Sequence, residues 1–330
     1  MMDELLNIMR ALADPTRLRI VLLIRRLELA VGEVVHILGQ SQPRVSRHIR
    51  ILDEAGIAER RKEGSWVFLR PGPILTSGNL EPLFASADNS EGRIVQRDLA
   101  KLELVRGSRA DMAADYFAAH ASEWDSLRSL HVAESEVEEA ITDILHTGPL
   151  GAVLDIGTGT GRMIELFAPE ADQFVALDNN IEMLRLARAK LAAMNTISSS
   201  KVEIMLGDFN ALPLADDSFD TILFHQVLHY AQHPERVISE AARVLAPGGR
   251  LMIVDFAAHD HEELRTIHAH ARLGFTDQAI EQAFAADAIY MAHQVVLDAG
   301  PLAVKIWMGQ KQGQPSGRAK LTEKQLRIVA

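Results

Sequence analysis

Apolar positions recur at helical spacing from Asp3 to Ala55, and turn residues cut that stretch into four short helices. Asp14-Pro15 reads as an N-cap followed by proline at the first helical position, with Leu18, Val21, Leu22 and Leu23 as the inward face. Glu33 to Leu38 reads as a short amphipathic helix ended by Gly39. Ser41 is placed to cap the next helix, which has Pro43 in its first turn and Ile49, Leu52 and Ala55 on its buried side. After Gly56-Ile57, Ala58 to Arg61 and Trp66 to Arg70 read as two strands joined by a turn near Glu63-Gly64-Ser65. Pro71 to Ser90 has the composition of a linker. Helical spacing resumes from Gly92 to Leu130 through Leu99, Leu102, Val105, Met112, Tyr116 and Phe117, and again from Ser135 to His146.

From residue 152 the pattern changes. Short apolar runs at Ala152–Ile156, Gln173–Leu177, Val202–Leu206, Thr221–His225 and Arg250–Phe256 alternate with helical stretches, which predicts a parallel sheet with helices on both faces. His293–Leu297 and Ala303–Met308 are placed to add an antiparallel edge hairpin, and the Gln-, Gly- and Lys-rich tail from Gly309 reads as mobile. The expected fold class is α/β: an N-terminal winged helix-turn-helix and a Rossmann-like, mostly parallel seven-stranded sheet. The expected divisions are 1–72 for the first domain, 73–130 for linker and connecting helices, 131–310 for the second domain and 311–330 for the tail. No internal repeat is visible.

Charge sharpens the division. The 330-residue chain carries a net charge of −11, yet residues 1–70 hold 12 Arg and Lys against 9 Asp and Glu. A small basic module therefore rides on an acidic body, as a nucleic-acid-binding head would. The absence of cysteine excludes disulfides and thiolate metal sites. No apolar run approaches the roughly 20 residues that span a bilayer, and Asp3 and Glu4 open a helix rather than a secretory leader. No membrane partner and a cytoplasmic location are the expectation.

The segment from Ser41 to Ile49 has the layout of a recognition helix. Gln42, Arg44, Ser46, Arg47, His48 and Arg50 supply groups able to reach base edges or phosphates of double-stranded DNA, while Val45, Ile49 and Leu52 anchor the helix. Arg60, Arg61 and Lys62 on the hairpin are placed for phosphates or the minor groove. This stretch resembles the ArsR family of winged-helix repressors through Ala13-Asp14-Pro15-Thr16-Arg17-Leu18-Arg19-Ile20, Ser41-Gln42-Pro43-Arg44-Val45-Ser46-Arg47-His48 and a wing ending in Trp66. The resemblance implies a homodimer on an imperfect palindromic operator, with Leu5, Leu6 and Met9 and a later helix at the dimer face. Metal-sensing members carry Cys-x-Cys where this chain has Ala30 and Gly32, so thiolate metal sensing there is excluded and no metal is expected.

In the second half, Val153-Leu154-Asp155-Ile156-Gly157-Thr158-Gly159-Thr160-Gly161 follows a strand and opens a helix. Glycines let backbone approach a ligand closely. The spacing is G-x-G-x-G, and Arg162 stands where a pyrophosphate-binding G-x-G-x-x-G needs glycine, which disfavours NAD and FAD. Asp178, Asp208-Phe209 and His225-Gln226 end successive strands, where ligands of such sheets bind. A carboxylate at 178 can accept from both ribose hydroxyls. These features, with Leu245-Ala246-Pro247-Gly248-Gly249-Arg250-Leu251, resemble class I S-adenosylmethionine-dependent methyltransferases between about Asp115 and Gln310. The resemblance implies a ligand that is S-adenosylmethionine or S-adenosylhomocysteine. Asp155, Gly157, Gly159 and Gly161 would lie at its methionine end, Asp178 on the ribose, Asp208 and Phe209 on the adenine and His225 beside the amino acid. Asn179 replaces the usual apolar neighbour of adenine.

Tyr116, Phe117 and Trp124 are placed either to lid the pocket or to pack as core. His229, Tyr230 and His233 either face an acceptor or form an ordinary strand-to-helix edge, so no catalytic residue is assigned beyond His229 and Tyr230 as candidates. The function expected is a DNA-binding transcriptional repressor whose second domain senses S-adenosylmethionine or S-adenosylhomocysteine. Fusions of this kind resemble regulators of methionine-cycle genes. The alternative is an active small-molecule methyltransferase with an autoregulatory DNA-binding head. DNA methylation is disfavoured, because His225-Gln226-Val227-Leu228 replaces the Asn/Asp-Pro-Pro-aromatic motif.

Overall fold

In the computed structural model the described residues are 2–63, 66–76, 80, 84, 92–120, 134–194, 201–297 and 302–313. The chain divides into two compact units, Met1–Met112 and Ala113–Ala330.

The first unit opens with α1 (Met2–Leu12), α2 (Pro15–Ile24), β1 (Leu29–Ala30), α3 (Val31–Leu38) and α4 (Gln42–Glu54). Asp14 caps α2 as its extended backbone predicts, accepting from the Thr16 and Arg17 amides at 2.8 and 3.0 Å. Ile20, Val21, Leu22, Leu23 and Ile24 are buried, but Leu18 is exposed, because it falls half a turn away from the Thr16, Ile20 and Leu23 side. Gly39 ends α3 at φ 64°, where glycine pays no Cβ penalty. Ser41 is the N-cap of α4 by position only, since its side chain makes no capping bond. Val45, Ile49 and Leu52 hold α4 to the core, and Ala55 is only half-buried.

The wing is the antiparallel pair β2 (Ala58–Glu63) and β3 (Trp66–Pro71), each longer than its sequence pattern indicates, with β1 on the other side of β3. The expected turn residues Gly64 and Ser65 lie outside the described residues. A short helix, α5 (Pro73–Thr76), follows, then the long α6 (Arg93–His120), within which the boundary between the two units falls. Segment 73–130 is thus more than a spacer, since Phe84 and Leu102 are buried in the first core. Asp98 of α6 is 2% exposed and takes a forked bond from Arg19 of α2, with the Nη2 arm at 2.8 Å. Lys101 donates to the His36 and Ile37 carbonyls at the end of α3, where a cation suits the helix dipole. These contacts fix α6 against α2 and the end of α3.

The second unit begins in the described residues with α7 (Glu134–Leu145). It then runs β4 (Ala152–Ile156), α8 (Arg162–Phe167), β5 (Gln173–Asp178), α9 (Ile181–Ala193), β6 (Val202–Leu206), β7 (Phe219–His225), a 3-10 turn (Leu228–Tyr230), α10 (Pro234–Val244) and β8 (Leu245–Phe256). The last elements are α11 (Glu263–Ile267), α12 (Asp277–Ala286), β9 (Ile289–Leu297) and β10 (Val304–Lys311). The sheet order is β6-β5-β4-β7-β8-β10-β9, with the first five parallel and β10 antiparallel to both neighbours. Two apolar cores, one containing Phe167 and Phe174 and the other Phe219, Phe224 and Trp307, cover its faces.

Two expectations are corrected. β8 starts at Leu245, five residues before Arg250, because a register shift against β7 draws the Pro-Gly-Gly turn into the ladder. The tail does not begin at Gly309 or residue 311. Gly309 to Lys311 continue β10, and Lys311 Nζ donates to the Ala242 and Leu245 carbonyls and pairs with Asp217 at 3.0 Å. Residues 314–330 lie outside the described residues.

Breaking a buried ion pair by removing one partner costs about 3–5 kcal/mol. Asp98→Ala, which orphans Arg19, is expected to destabilise the first unit by that order. Urea denaturation followed by circular dichroism measures it, and an unchanged midpoint would remove Asp98 from the role assigned.

Candidate ligand pocket and candidate nucleic-acid interface

The pocket grows from the carboxyl ends of β4 and β5. Gly157, Gly159 and Gly161 all have positive φ, at 76°, 54° and 87°. A Cβ on Gly157 would overlap the Val227 side chain, so only glycine fits there. The Gly157 and Thr158 amides both donate to the Leu177 carbonyl, at 2.7 and 3.0 Å, and the Gly159 amide donates to Asp178 Oδ2 at 2.9 Å. The loop is therefore sewn to β5 before any ligand arrives.

Asp178 Oδ1 accepts from the Asn180 amide at 2.8 Å. Burial pushes this carboxyl above its ordinary range, against the pull of the Asn180, Gly159 and Asn179 amides. Each oxygen keeps a lone pair for a further donor. Asn180, not Asn179, caps α9, while Asn179 is exposed. Asp155 is fully buried at the end of β4, and Thr158 Oγ1 is buried with no hydrogen-bond partner among the described residues. A glycine cradle, a desolvated carboxylate and an orphaned hydroxyl fit the amino-acid and ribose ends of an S-adenosyl nucleoside.

Asp208 and Phe209 follow β6. Asp208 is exposed, with Oδ1 engaged by the Asn210 amide and Nδ2 at 2.9 and 2.7 Å, and Phe209 packs half-buried against the second core. Gly207 donates to the Asp178 carbonyl at 3.0 Å, which brings the ends of β5 and β6 together. His225 is buried at the end of β7, and the next residue, Gln226, is left-handed at φ 52°. Arg162, whose size argues against a dinucleotide loop, forks onto Glu138 of α7 at 2.6 and 2.7 Å and ties that helix to the loop.

His229 is also buried, and its Nδ1 lies 2.7 Å from Asp255 Oδ1 at the end of β8. Tyr230 is half-buried with its ring centroid 4.1 Å from that of His229. Sequence reading did not single out Asp255, although a carboxylate inside the apolar run Leu251–Phe256 was the available signal. His233 stands at the N-cap position of α10 without a capping bond and pairs with Glu235 at 3.4 Å. Trp124 lies outside the described residues, as do the side chains of Tyr116 and Phe117.

On the nucleic-acid side, Gln42, Arg44, Ser46, Arg47 and Arg50 are exposed along α4. Arg44 and Arg47 form no ion pair with any described residue, while Arg50 sits 3.7 Å from Glu54. His48 does not join that row. It is turned toward Asp14, 3.7 Å away, and burial holds its imidazole below the ordinary range. On the wing, Arg61 is committed to buried Glu28 at 2.9 Å and to the Phe68 ring at 5.0 Å, and Arg60 pairs with Asp53 at 2.6 Å. Lys62 is exposed and unpaired among the described residues. No cluster of three or more metal-ligating side chains occurs among the described residues. None of their helices is long and apolar enough to cross a membrane.

Comparison with known proteins divides the chain in the same way. Residues 14–60 match the arsR family of bacterial regulatory proteins and residues 154–253 match the methyltransferase domain family. The chain is 33% identical over 158 residues to a phosphatidylethanolamine N-methyltransferase of Cereibacter sphaeroides, 46% of this chain and 76% of that one. It is 34% identical over 177 residues to a malonyl-[acyl-carrier protein] O-methyltransferase of Methylococcus capsulatus, 50% of this chain and 61% of that one. It is 30% identical over 128 residues to a demethylmenaquinone methyltransferase of Renibacterium salmoninarum, 39% and 51%. The chain thus spans about half to three fifths of the length of the last two. Among solved structures, the N-methyltransferase NodS from Bradyrhizobium japonicum WM9, in complex with S-adenosylhomocysteine, has the same fold at 17% identity and a TM-score of 0.50. That alignment covers 60% of this chain and 98% of NodS.

Hydrogen bonds to a charged group contribute about 1.5–3 kcal/mol. Asp178→Ala is therefore expected to weaken S-adenosylhomocysteine binding by at least ten-fold in calorimetry while leaving the affinity of the winged helix for DNA unchanged. Loss of both would mark misfolding and overturn the assignment of Asp178 to the ligand.

Proposed function

Since this chain belongs to the S-adenosylmethionine-dependent methyltransferases through its second unit and to the arsR family of bacterial regulators through its first, we propose that it is a homodimeric transcriptional repressor of methionine-cycle genes whose methyltransferase domain senses an S-adenosyl nucleoside. The observation that carries the reading is the pairing, in one chain, of a pre-sewn glycine loop with a reading helix that presents Arg44 and Arg47 unpaired. Unpaired guanidinium groups on an exposed helix face suit bidentate reading of guanine. In this reading Lys62 supplies the wing's phosphate contact, and Gln42, Ser46 and Arg50 add contacts along the helix. His48 and Arg61 position the reading elements through Asp14 and Glu28.

Dimerisation draws support from α1, where Leu5, Leu6 and Met9 are 48, 42 and 53% exposed, and from Ile94 and Leu104 of α6, 55 and 73% exposed. Apolar side chains left in water on both helices of one unit suit burial against a second copy.

S-adenosylmethionine and S-adenosylhomocysteine differ by one methyl group and the sulfonium charge. A pocket that separates them reports the methylation state of the cell. The ligand acts only through a difference in affinity between DNA-competent and DNA-incompetent arrangements, because equal affinity shifts nothing.

A second reading, methyl transfer to a small molecule, is favoured by the three relatives, all named as methyltransferases. Methyl transfer from a sulfonium is an in-line displacement that chiefly requires alignment.

The test is a titration of duplex DNA selected on the immobilised protein, without ligand and with each nucleoside at saturation. Allosteric couplings typically change affinity by about 5–150-fold, and one of the two nucleosides is expected to do so. Binding of both in calorimetry with no effect on DNA affinity would leave the enzyme reading alone. Arg44→Ala and Arg47→Ala are each expected to cost about 1–3 kcal/mol of specific DNA affinity. Met9→Asp is expected to give a monomer in sedimentation equilibrium with weakened operator binding, and a monomeric wild type would sink the dimer.

A further inference from the structure

The histidines beyond β7 form a second constellation next to the nucleoside pocket. Val227, against which Gly157 packs, leads into the 3-10 turn that carries His229 and Tyr230. Asp255 ends the neighbouring strand β8 on the same edge of the sheet. The Asp255 carboxylate accepts from the His229 amide at 3.1 Å, the Phe256 amide at 2.8 Å and His229 Nδ1 at 2.7 Å. A carboxylate only accepts, so Nδ1 is the donor in this contact, and in the neutral imidazole Nε2 keeps its lone pair. That Nε2 is buried with no hydrogen-bond partner among the described residues. An unused buried acceptor costs free energy and calls for an explanation.

The surroundings point to the class of molecule. The His229 ring is stacked on that of His270 with centroids 4.0 Å apart, and the Phe256 and Tyr230 rings pack against it at tilts of 46° and 50°. Arg272 is buried alongside, its amide donating to the His229 carbonyl at 2.9 Å and its guanidinium to the Gln232 carbonyl. The nearby carboxylates of Glu235 and Glu263 are held by His233 and His261. Imidazoles and a guanidinium, with Glu235 and Glu263 engaged, suit an acceptor that becomes anionic better than a cationic amine. Two left-handed non-glycine residues, Gln226 at φ 52° and Ala269 at φ 57°, flank the cluster, and such strain gathers at functional sites.

We propose that His229, oriented by Asp255, is the general base of an acceptor site for a planar aromatic hydroxyl compound. The inference rests on the reading that the glycine loop holds S-adenosylmethionine. The hydroxyl proton passes to His229 Nε2 as the oxygen bonds to the methyl carbon. The carbon–sulfur bond breaks with its electron pair going to sulfur. The products are the aryl methyl ether, S-adenosylhomocysteine and an imidazolium paired with Asp255, which returns its proton to water. Asp255 is a positioning residue, because it acts through His229.

The probe is 4-nitrocatechol, whose phenolate absorbs at longer wavelength than its neutral form. At a pH where the free compound is mainly protonated, the complex of the full chain with S-adenosylhomocysteine is expected to show the phenolate band, and with S-adenosylmethionine to give the methyl ether. General bases contribute about 10²–10⁴-fold, so His229→Gln should lower kcat at least 100-fold, abolish the band and leave S-adenosylhomocysteine affinity within two-fold. Added imidazole should restore part of the rate. Asp255→Asn should lower kcat with little change in KM. The proposal falls if S-adenosylhomocysteine binds but the wild type gives neither band nor ether, or if His229→Gln keeps its kcat with the nucleoside bound. Failure of the wild type to bind S-adenosylhomocysteine at all would overturn the pocket reading beneath it.

Discussion

The hydrogen bond from the Gly159 amide to Asp178 joins the glycine loop to the end of β5, and the rest of the candidate pocket is built around it. Three left-handed glycines bend the chain after β4 tightly enough for its amides to reach the end of β5. The Leu177 carbonyl takes two of those amides and the Asp178 side chain takes a third, so the loop and this carboxylate are tied together. The arrangement is costly. Burial raises the Asp178 carboxyl, so the ionised form is disfavoured in the folded protein unless further donors reach it. A pair of ribose hydroxyls would be such donors.

The parts of this architecture that depend on local pattern were legible in the sequence. β4 and β6 match their apolar runs residue for residue, and the Asp14-Pro15 cap and the Gly39 stop act where the chain writes them. The parts that depend on distant partners were not. His48 and Arg61 read as free cations on a basic face, yet each is engaged by a carboxylate about a third of a hundred residues away in sequence, His48 by Asp14 and Arg61 by Glu28. Asp255 meets His229 across 26 residues, a pairing that exists only because β7 and β8 lie side by side. The early start of β8 and the late end of β10 share one cause. Strand limits follow the ladder of the neighbouring strand, and the register shift at β7 and the anchoring of Lys311 extend both beyond their apolar runs.

The same distinction separates what likeness to relatives can and cannot supply. The glycine loop, Asp178 and Asp208 fall in the stretch that matches the methyltransferase domain family, and the relatives have unlike acceptors, one named for O-methylation and one for N-methylation. The acceptor must therefore be read from this chain's own histidine-rich elements after β7 and β8. There the chemistry is one-sided. The Nε2 of His229 has no hydrogen-bond partner among the described residues, and Glu235 and Glu263 are each paired with a histidine. Such a setting favours a neutral hydroxyl group that must lose its proton over an amine that arrives charged.

Regulation and catalysis are not rival uses of one pocket. A repressor that only sensed its ligand would need no proton acceptor buried against the carboxyl edge of the sheet, and an enzyme alone would need no Arg44 and Arg47 held clear of ion pairs. If the domain turns over, each cycle replaces S-adenosylmethionine with S-adenosylhomocysteine at the same site. The bound state then depends on the supply of acceptor as well as on the ratio of the two nucleosides. Under that constraint the DNA-binding unit would also respond to the presence of a methylatable aromatic compound, because turnover shortens the stay of the charged ligand. The sign of the response follows from which nucleoside the DNA-competent arrangement prefers, since the coupling is reciprocal between the two sites.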